Sequence, residues 1–90
     1  EKLQQYQPRA IGLDIYRDLA VEPGHNRLAK LLNQSDRIVA ICKMVDEDDP
    51  GVAPPPSVPA DRVSFSDLVV DADGVVRRAL LFASPNQGKC

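Results

Sequence analysis

Four side chains with the chemistry of a binding or catalytic site follow one apolar stretch near the start of the chain. The segment PRAIGLDIYRD, residues 8–18, ends in Asp14, Tyr16, Arg17 and Asp18. Two carboxylates and a guanidinium can hold a charged ligand through directional hydrogen bonds, and a tyrosine adds a flat surface with a hydroxyl. The alternative is structural, with Asp14 bonded to loop or helix amides and with Arg17 and Asp18 solvated.

The spacing of the reactive groups favours recognition over catalysis. Phosphoryl transfer by an aspartate pair uses carboxylates at i and i+2 after a strand, whereas Asp14 and Asp18 are four residues apart. His25, the single histidine, is typical of a partly packed residue in a first helical turn, with a pH sensor or a base as the alternative. No serine lies in a nucleophile elbow, and the five glycines are isolated rather than grouped as a phosphate cradle.

Charged residues further along the chain have structural interpretations. The acidic run at residues 46–49 lacks the alternate spacing and final glutamate of an EF-hand, so a solvated loop is favoured over a calcium site. Asp67 lies in a predicted hairpin whose second strand carries Arg77 and Arg78 on opposite faces. One arginine therefore shares the face of Asp67, and a cross-strand ion pair is expected, with a ligand-binding arginine as the alternative.

Composition restricts the class of protein. The 90 residues allow one domain, with 43% hydrophobic and 27% charged residues, as is usual for a globular chain. The net charge is −2 and the basic residues are scattered, which argues against nucleic acid as a partner. The apolar stretches are far shorter than the roughly 20 residues that cross a bilayer. The sequence implies no cofactor.

Hydrophobic periodicity predicts the elements that position these side chains. Residues 3–6 are typical of a final helical turn, which Pro8 ends. Residues 10–16 predict a strand that is covered on both faces, with its polar residues at the carboxyl end. Residues 23–33 predict a short amphipathic helix and residues 38–45 a second strand. Strand, helix and strand form a βαβ unit with parallel strands.

The second half of the chain predicts a long loop and a hairpin. Residues 46–61 contain five prolines and predict an extended Pro-rich loop. Residues 63–70 and 75–82 predict two antiparallel strands around a type I turn with a bulge, in which Gly74 takes a positive φ. The expected fold class is therefore α/β: a βαβ unit followed by an antiparallel hairpin in one mixed sheet, with helices packed on it.

Four segments follow one another in a specific order. They are PRAIGLDIYRD, EPGHNRL, RIVAICK and FSDLVVDADGVVRRALLF, and they extend from Pro8 to Phe82. The most specific parts are GLDIY followed by Asp18, and FSD followed by DGVVRR. In this order the chain resembles the type-two CHASE domain, the extracellular sensing module associated with nucleotide cyclases and histidine kinases.

The resemblance implies a sensor rather than an enzyme. Members of the family are bacterial, are common in cyanobacteria, and lie outside the cytoplasmic membrane between transmembrane helices. By analogy this chain is the periplasmic part of a membrane receptor that regulates an intracellular kinase or cyclase. Its partners are then those helices and an unidentified small ligand or stimulus. Because the family's domain extends past Cys90, we expect residues 1–90 to form one partial sensor domain.

The expected ligand site of this sensor is a polar wall, and other hypotheses remain beside it. The wall consists of Asp14, Tyr16, Arg17 and Asp18, with His25 and Asp67 nearby. One alternative is a small metal-dependent α/β enzyme, or a fragment of one, in which Asp14, Asp18 and His25 bind a hard divalent cation. Another is a module that only forms a homodimer and positions its neighbours.

Two cysteines, Cys42 and Cys90, leave two interpretations open. Either they pair in an oxidising compartment, or Cys42 is a buried apolar residue and Cys90 a free terminal thiol. The residues alone favour the second interpretation. The extracytoplasmic location that the resemblance implies reverses this preference and favours a disulfide.

Overall fold

A parallel sheet of three strands lies at the centre of the fold in the computed structural model, which describes residues 1–83 and 90. Its strands, in spatial order, are β1 (Ile11–Leu13), β2 (Ile38–Cys42) and β3 (Val63–Phe65). Leu13 pairs with Ala40, and Cys42 pairs with Phe65. Because both ladders are parallel, the carboxyl ends of all three strands meet at one edge of the sheet. The predicted α/β fold with its βαβ unit is confirmed.

Strands β1 and β2 are both shorter than predicted. The ladder of β1 stops at Leu13, and residues 14–16 are exposed. Within the described residues β1 is an edge strand that pairs with β2 alone, and that ladder does not continue past Leu13. Strand β2 stops at Cys42 because Lys43 turns to pair with Val52 in an antiparallel bridge.

Helix α1 (His25–Gln34) packs on the sheet and confirms the predicted helix. Its leucine stripe places Leu32, which is 2% exposed, against Ile38 and the fully buried Ala40. The helix begins two residues later than predicted because Gly24 has a left-handed φ of 93°. No helix in residues 1–83 and 90 is long and apolar enough to cross a membrane.

The Pro-rich loop, residues 46–61, is fastened to the sheet at both ends. Near its start, Lys43 and Val52 exchange two backbone hydrogen bonds, with N to O distances of 2.9 and 3.0 Å. The Lys43 ammonium lies 2.9 Å from Asp49 Oδ2, so the acidic run is partly neutralised. Near its end, Val58 is 7% exposed and packs with Leu32 in the core. The loop ends in a short 3-10 helix, Ala60–Arg62, that the sequence did not predict.

Arg62 ties the end of this loop to the end of α1 and to the start of β2. Its guanidinium donates to the carbonyl oxygens of Asn33 and Ile38, at 3.1 and 3.2 Å. A cation beside the last carbonyl groups of a helix also complements the helix dipole. Three segments that are distant in sequence therefore converge on one half-buried side chain.

Replacing Arg62 with alanine is expected to lower the free energy of unfolding by about 2 kcal/mol, because both carbonyl groups lose a charged donor. Urea denaturation followed by circular dichroism measures the change. Arg9→Ala is the control, since Arg9 is exposed and makes no hydrogen bond within the described residues. Equal midpoints for the two variants would show that Arg62 contributes nothing.

The hairpin at the end of the chain confirms the predicted turn and corrects the strand before it. Strands β4 (Val69–Val70) and β5 (Val76–Arg78) are antiparallel, and Gly74 in their turn has a φ of 82°. The prediction of one strand over residues 63–70 is wrong, since β3 and β4 are separate. The chain loses its partner after Phe65 because β2 has already ended. The hairpin therefore forms a two-stranded sheet of its own, and the single mixed sheet that the sequence predicts is divided into two.

Candidate functional site

The polar wall predicted after β1 lies in an exposed loop at the carboxyl edge of the sheet. Asp14 and Tyr16 are exposed, and Arg17 and Asp18 are half-buried. Within residues 1–83 and 90, none of the four side chains makes a hydrogen bond or an ion pair, and Asp14 caps no amide there. The wall therefore presents charged groups whose hydrogen-bonding capacity is directed to solvent. Such groups can bind a charged ligand without first breaking an internal ion pair.

A small cleft brings two of the predicted residues together. Arg17 and His25 both line it, together with Pro55 and Pro56 of the Pro-rich loop. Its volume is about 20 Å³, which is room for about one water molecule. A larger ligand therefore contacts Arg17 and His25 from the outside of the cleft.

Asp67 has a different environment. Its Oδ2 atom accepts a hydrogen bond of 3.3 Å from the backbone N–H of Met44, just beyond the end of β2. The pKa of neighbouring Lys43 is raised, mainly by its hydrogen bond to Asp49 and to a smaller extent by the charge of Asp67. Asp67 thus stabilises the exit of the chain from β2, and among the described residues no hydrogen bond or ion pair links it to the polar wall.

The expected pairing of Asp67 with an arginine of the hairpin is corrected. Arg77 forms ion pairs with Asp73 at 2.6 Å and with Asp71 at 3.1 Å, and Arg78 pairs with Asp71 at 2.8 Å. Asp67 is excluded from these pairs because β4 begins only at Val69, so Asp67 precedes the hairpin ladder. These contacts give both arginines a structural role around the turn at Gly74.

The carboxyl group of Asp73, in the hairpin turn, should ionise at an unusually low pH. Hydrogen bonds from Arg77 hold the pKa of Asp73 below its ordinary value of 3.8. A carboxyl whose pKa is lower in the folded chain adds stability above its unfolded pKa and loses it as pH falls through the folded pKa. NMR titration should therefore show Asp73 ionising below pH 3.8 in the wild type and nearer that value in Arg77→Gln. Asp73 ionising above 3.8 in the wild type would contradict the pairing.

The structure joins Cys42 to Cys90 in a disulfide, with a Cα to Cα distance of 5.2 Å. Cys42 is the last residue of β2, so the bridge fixes the end of the chain to the carboxyl edge of the sheet. The preference for a free Cys90, drawn from the residues alone, is thereby corrected. The physical reason is that Cys90 lies beside the end of β2 in the folded chain, which periodicity cannot reveal.

An apolar cavity that sequence reasoning missed opens beside this disulfide. Its volume is about 890 Å³, and its lining includes both cysteines, Met44, Phe65 and Leu80. The Pro-rich loop supplies three more lining residues, Pro54, Pro55 and Pro56. The proline run was the only available signal, because it marked the loop as functional or mobile without showing which surface it covers.

The arrangement does not support the metal-dependent alternative. In the part of the chain that the structure describes, no group of three or more His, Cys, Asp or Glu residues is placed to hold a metal ion. Asp14, Asp18 and His25 are all described, so they do not form the ligand set that this alternative requires.

Comparison with known proteins identifies the family. The model of the CHASE2 domain matches residues 1–88 of the chain. No curated protein matches the chain, and neither does any solved structure. The match covers β1, α1, β2, the Pro-rich loop and the hairpin, which are the elements that position the polar wall and the cavity. The chain therefore belongs to the CHASE2 domain family, whose members are extracellular sensory domains rather than enzymes.

Proposed function

We propose that this chain is the stimulus-sensing module of a bacterial membrane receptor, lies in the periplasm, and regulates an intracellular kinase or nucleotide cyclase. The match to a family of extracellular sensory domains carries the proposal. A ligand that binds one geometry of the module better than another shifts the receptor between two states. Flanking transmembrane helices then transmit the shift to the output domain. The module itself needs no catalytic residue for this role.

The polar wall is the proposed place of recognition. Its side chains have no internal partners among the described residues, and they lie at the carboxyl edge of a parallel sheet, where ligands of α/β proteins gather. Arg17 suits an anionic group of the ligand, while Asp14 and Asp18 suit a cationic or hydrogen-bond-donating group. A small charged molecule is therefore the proposed ligand of this surface, with His25 at its margin.

Alanine at Asp14 or Arg17 in the parent receptor is expected to raise the stimulus concentration for half-maximal output at least about tenfold, since one lost charged hydrogen bond corresponds to about 1.4 kcal/mol or more. Both side chains lie outside the apolar core, so the melting temperature should not change. Arg9→Ala is the matched control, because Arg9 is also exposed and unpaired in the described part of the chain. Unchanged dose-response curves for both variants would refute the site.

The proposed periplasmic location of the module is tested separately from ligand recognition by the polar wall. Alkaline phosphatase, which is active only outside the cytoplasm, can be fused after Cys90 in the parent protein. The proposal predicts an active fusion in intact cells. An inactive phosphatase, together with an active cytoplasmic reporter at the same position, would place the module inside the cell and overturn the proposal.

A further inference from the structure

We propose that the apolar cavity beside the disulfide binds one small, uncharged, apolar molecule. Its volume of about 890 Å³ lies within the range of about 300 to 1,000 Å³ that is usual for small-molecule sites. Phe82 lines the cavity and is nevertheless 89% exposed, so a ligand there removes an aromatic side chain from water. Burial of this apolar surface supplies the driving force for binding.

The position of the cavity in the fold supports a ligand site. Cys42 and Phe65 are the last residues of β2 and β3, are paired in register, and both line the cavity. The cavity therefore lies at the carboxyl edge of parallel strands, where the strand ends and the following loops leave a crevice. Prolines 54–56 and the disulfide form walls with few rotatable bonds, so little conformational entropy is lost when the cavity is filled.

The lining determines the chemical class of the ligand. None of the described residues that line the cavity carries a charged side chain, and Ser64 supplies the one hydroxyl among them. A charged ligand group would lose its hydration there without gaining an ionic partner, which is strongly unfavourable. The described part of the lining therefore favours neutral, largely apolar molecules over anions and cations.

This site is separate from the polar wall. Pro55 and Pro56 line the cavity on one side and the cleft with Arg17 and His25 on the other. The two prolines thus form a partition between an apolar site and a charged surface. The inference extends beyond the proposed function and does not depend on it, because binding in the cavity requires neither the polar wall nor a receptor output.

Binding can be measured with N-phenyl-1-naphthylamine, an uncharged dye whose fluorescence rises in apolar surroundings. Ala60→Trp should fill the cavity, because Ala60 lines it while being exposed, so the larger side chain does not displace the core. Ala72→Trp is the matched control, since Ala72 is exposed in the hairpin turn and does not line the cavity. We expect saturable binding at one dye per chain, at least tenfold weaker in Ala60→Trp and unchanged in Ala72→Trp.

A second measurement locates the dye without any variant. Met44 is the single methionine of the chain and lines the cavity, so its methyl resonance reports occupancy directly. The proposal predicts a dye-dependent shift of that resonance, and affinity that persists in 1 M NaCl because the described lining supplies no charged group. Binding without a shift at Met44, or equal weakening in both tryptophan variants, would overturn it. A dye affinity that falls as the chain self-associates would place a second copy in the cavity and would also overturn it.

Discussion

Reduction of the Cys42–Cys90 disulfide is expected to lower the free energy of unfolding by about 4 kcal/mol. The bridge joins residues 48 apart in sequence, and closing a loop of that length restricts the unfolded chain by about this amount. A loss of this size is a large part of the stability of a 90-residue domain, which is typically about 5 to 15 kcal/mol. The chain should therefore be stable in an oxidising compartment and marginal in a reducing one, as suits an extracellular domain.

Thermal unfolding with and without a dithiol reductant measures this effect. A loss of about 4 kcal/mol corresponds to a fall in melting temperature of at least about 15 °C for a domain of this size. The double variant Cys42→Ala, Cys90→Ala is the control, because the same reductant should leave its melting temperature unchanged. A wild-type melting temperature that does not respond to the reductant would show that the bridge does not stabilise the fold.

Replacing Gly51 with alanine is expected to destabilise the chain by about 3 kcal/mol or more, from backbone strain and a steric clash together. Gly51 has a left-handed φ of 75°, and a Cβ atom there would lie 2.6 Å from the carbonyl oxygen of Lys43 and 3.1 Å from the amide nitrogen of Val45. Because both contacts are with backbone, no side-chain rotation can relieve them. The alanine must push the loop away from Lys43 and break its two hydrogen bonds with Val52.

Alanine variants of two other glycines distinguish the contribution of backbone strain from that of the steric clash. Gly74 also has a positive φ, but nothing lies within 4 Å of its added Cβ, so Gly74→Ala should cost only about 1 kcal/mol. Gly12 has neither feature, and Gly12→Ala should be near neutral. Urea denaturation ranks the three variants, and amide exchange at Lys43 and Val52 should accelerate in Gly51→Ala alone. Equal losses for Gly51→Ala and Gly74→Ala would show that the close approach of the backbone does not matter.

The elements that sequence reasoning predicted well are those whose signals are local. The leucine stripe of α1, the β-branched run of β2 and the glycine of the hairpin turn each lie within about ten residues of chain. The division of residues 63–70 into β3 and β4, by contrast, depends on a part of the chain that is distant in sequence. It follows from the end of β2 at Cys42, where Lys43 turns to pair with Val52, and no pattern within residues 63–70 contains that information.

The polar wall and the apolar cavity also differ in whether a local sequence pattern could predict them. The polar wall is a run of neighbouring residues, so its exposure at one edge of the sheet could be predicted from a single strand pattern. The apolar cavity combines the end of β2, the Pro-rich loop and the residues after the hairpin, and these meet only in the folded chain. Asp67 shows the limit most clearly, because its position beside the hairpin suggested an arginine partner, whereas it bonds to the Met44 amide.

The coding sequence on both sides of this segment in its parent gene tests the central claim most directly. The account predicts a membrane helix upstream and, downstream, apolar segments of about 20 residues each, followed by a kinase or nucleotide cyclase domain. That arrangement would establish the chain as the sensor of a membrane receptor. A stop codon soon after Cys90, with no membrane helix upstream, would contradict the account.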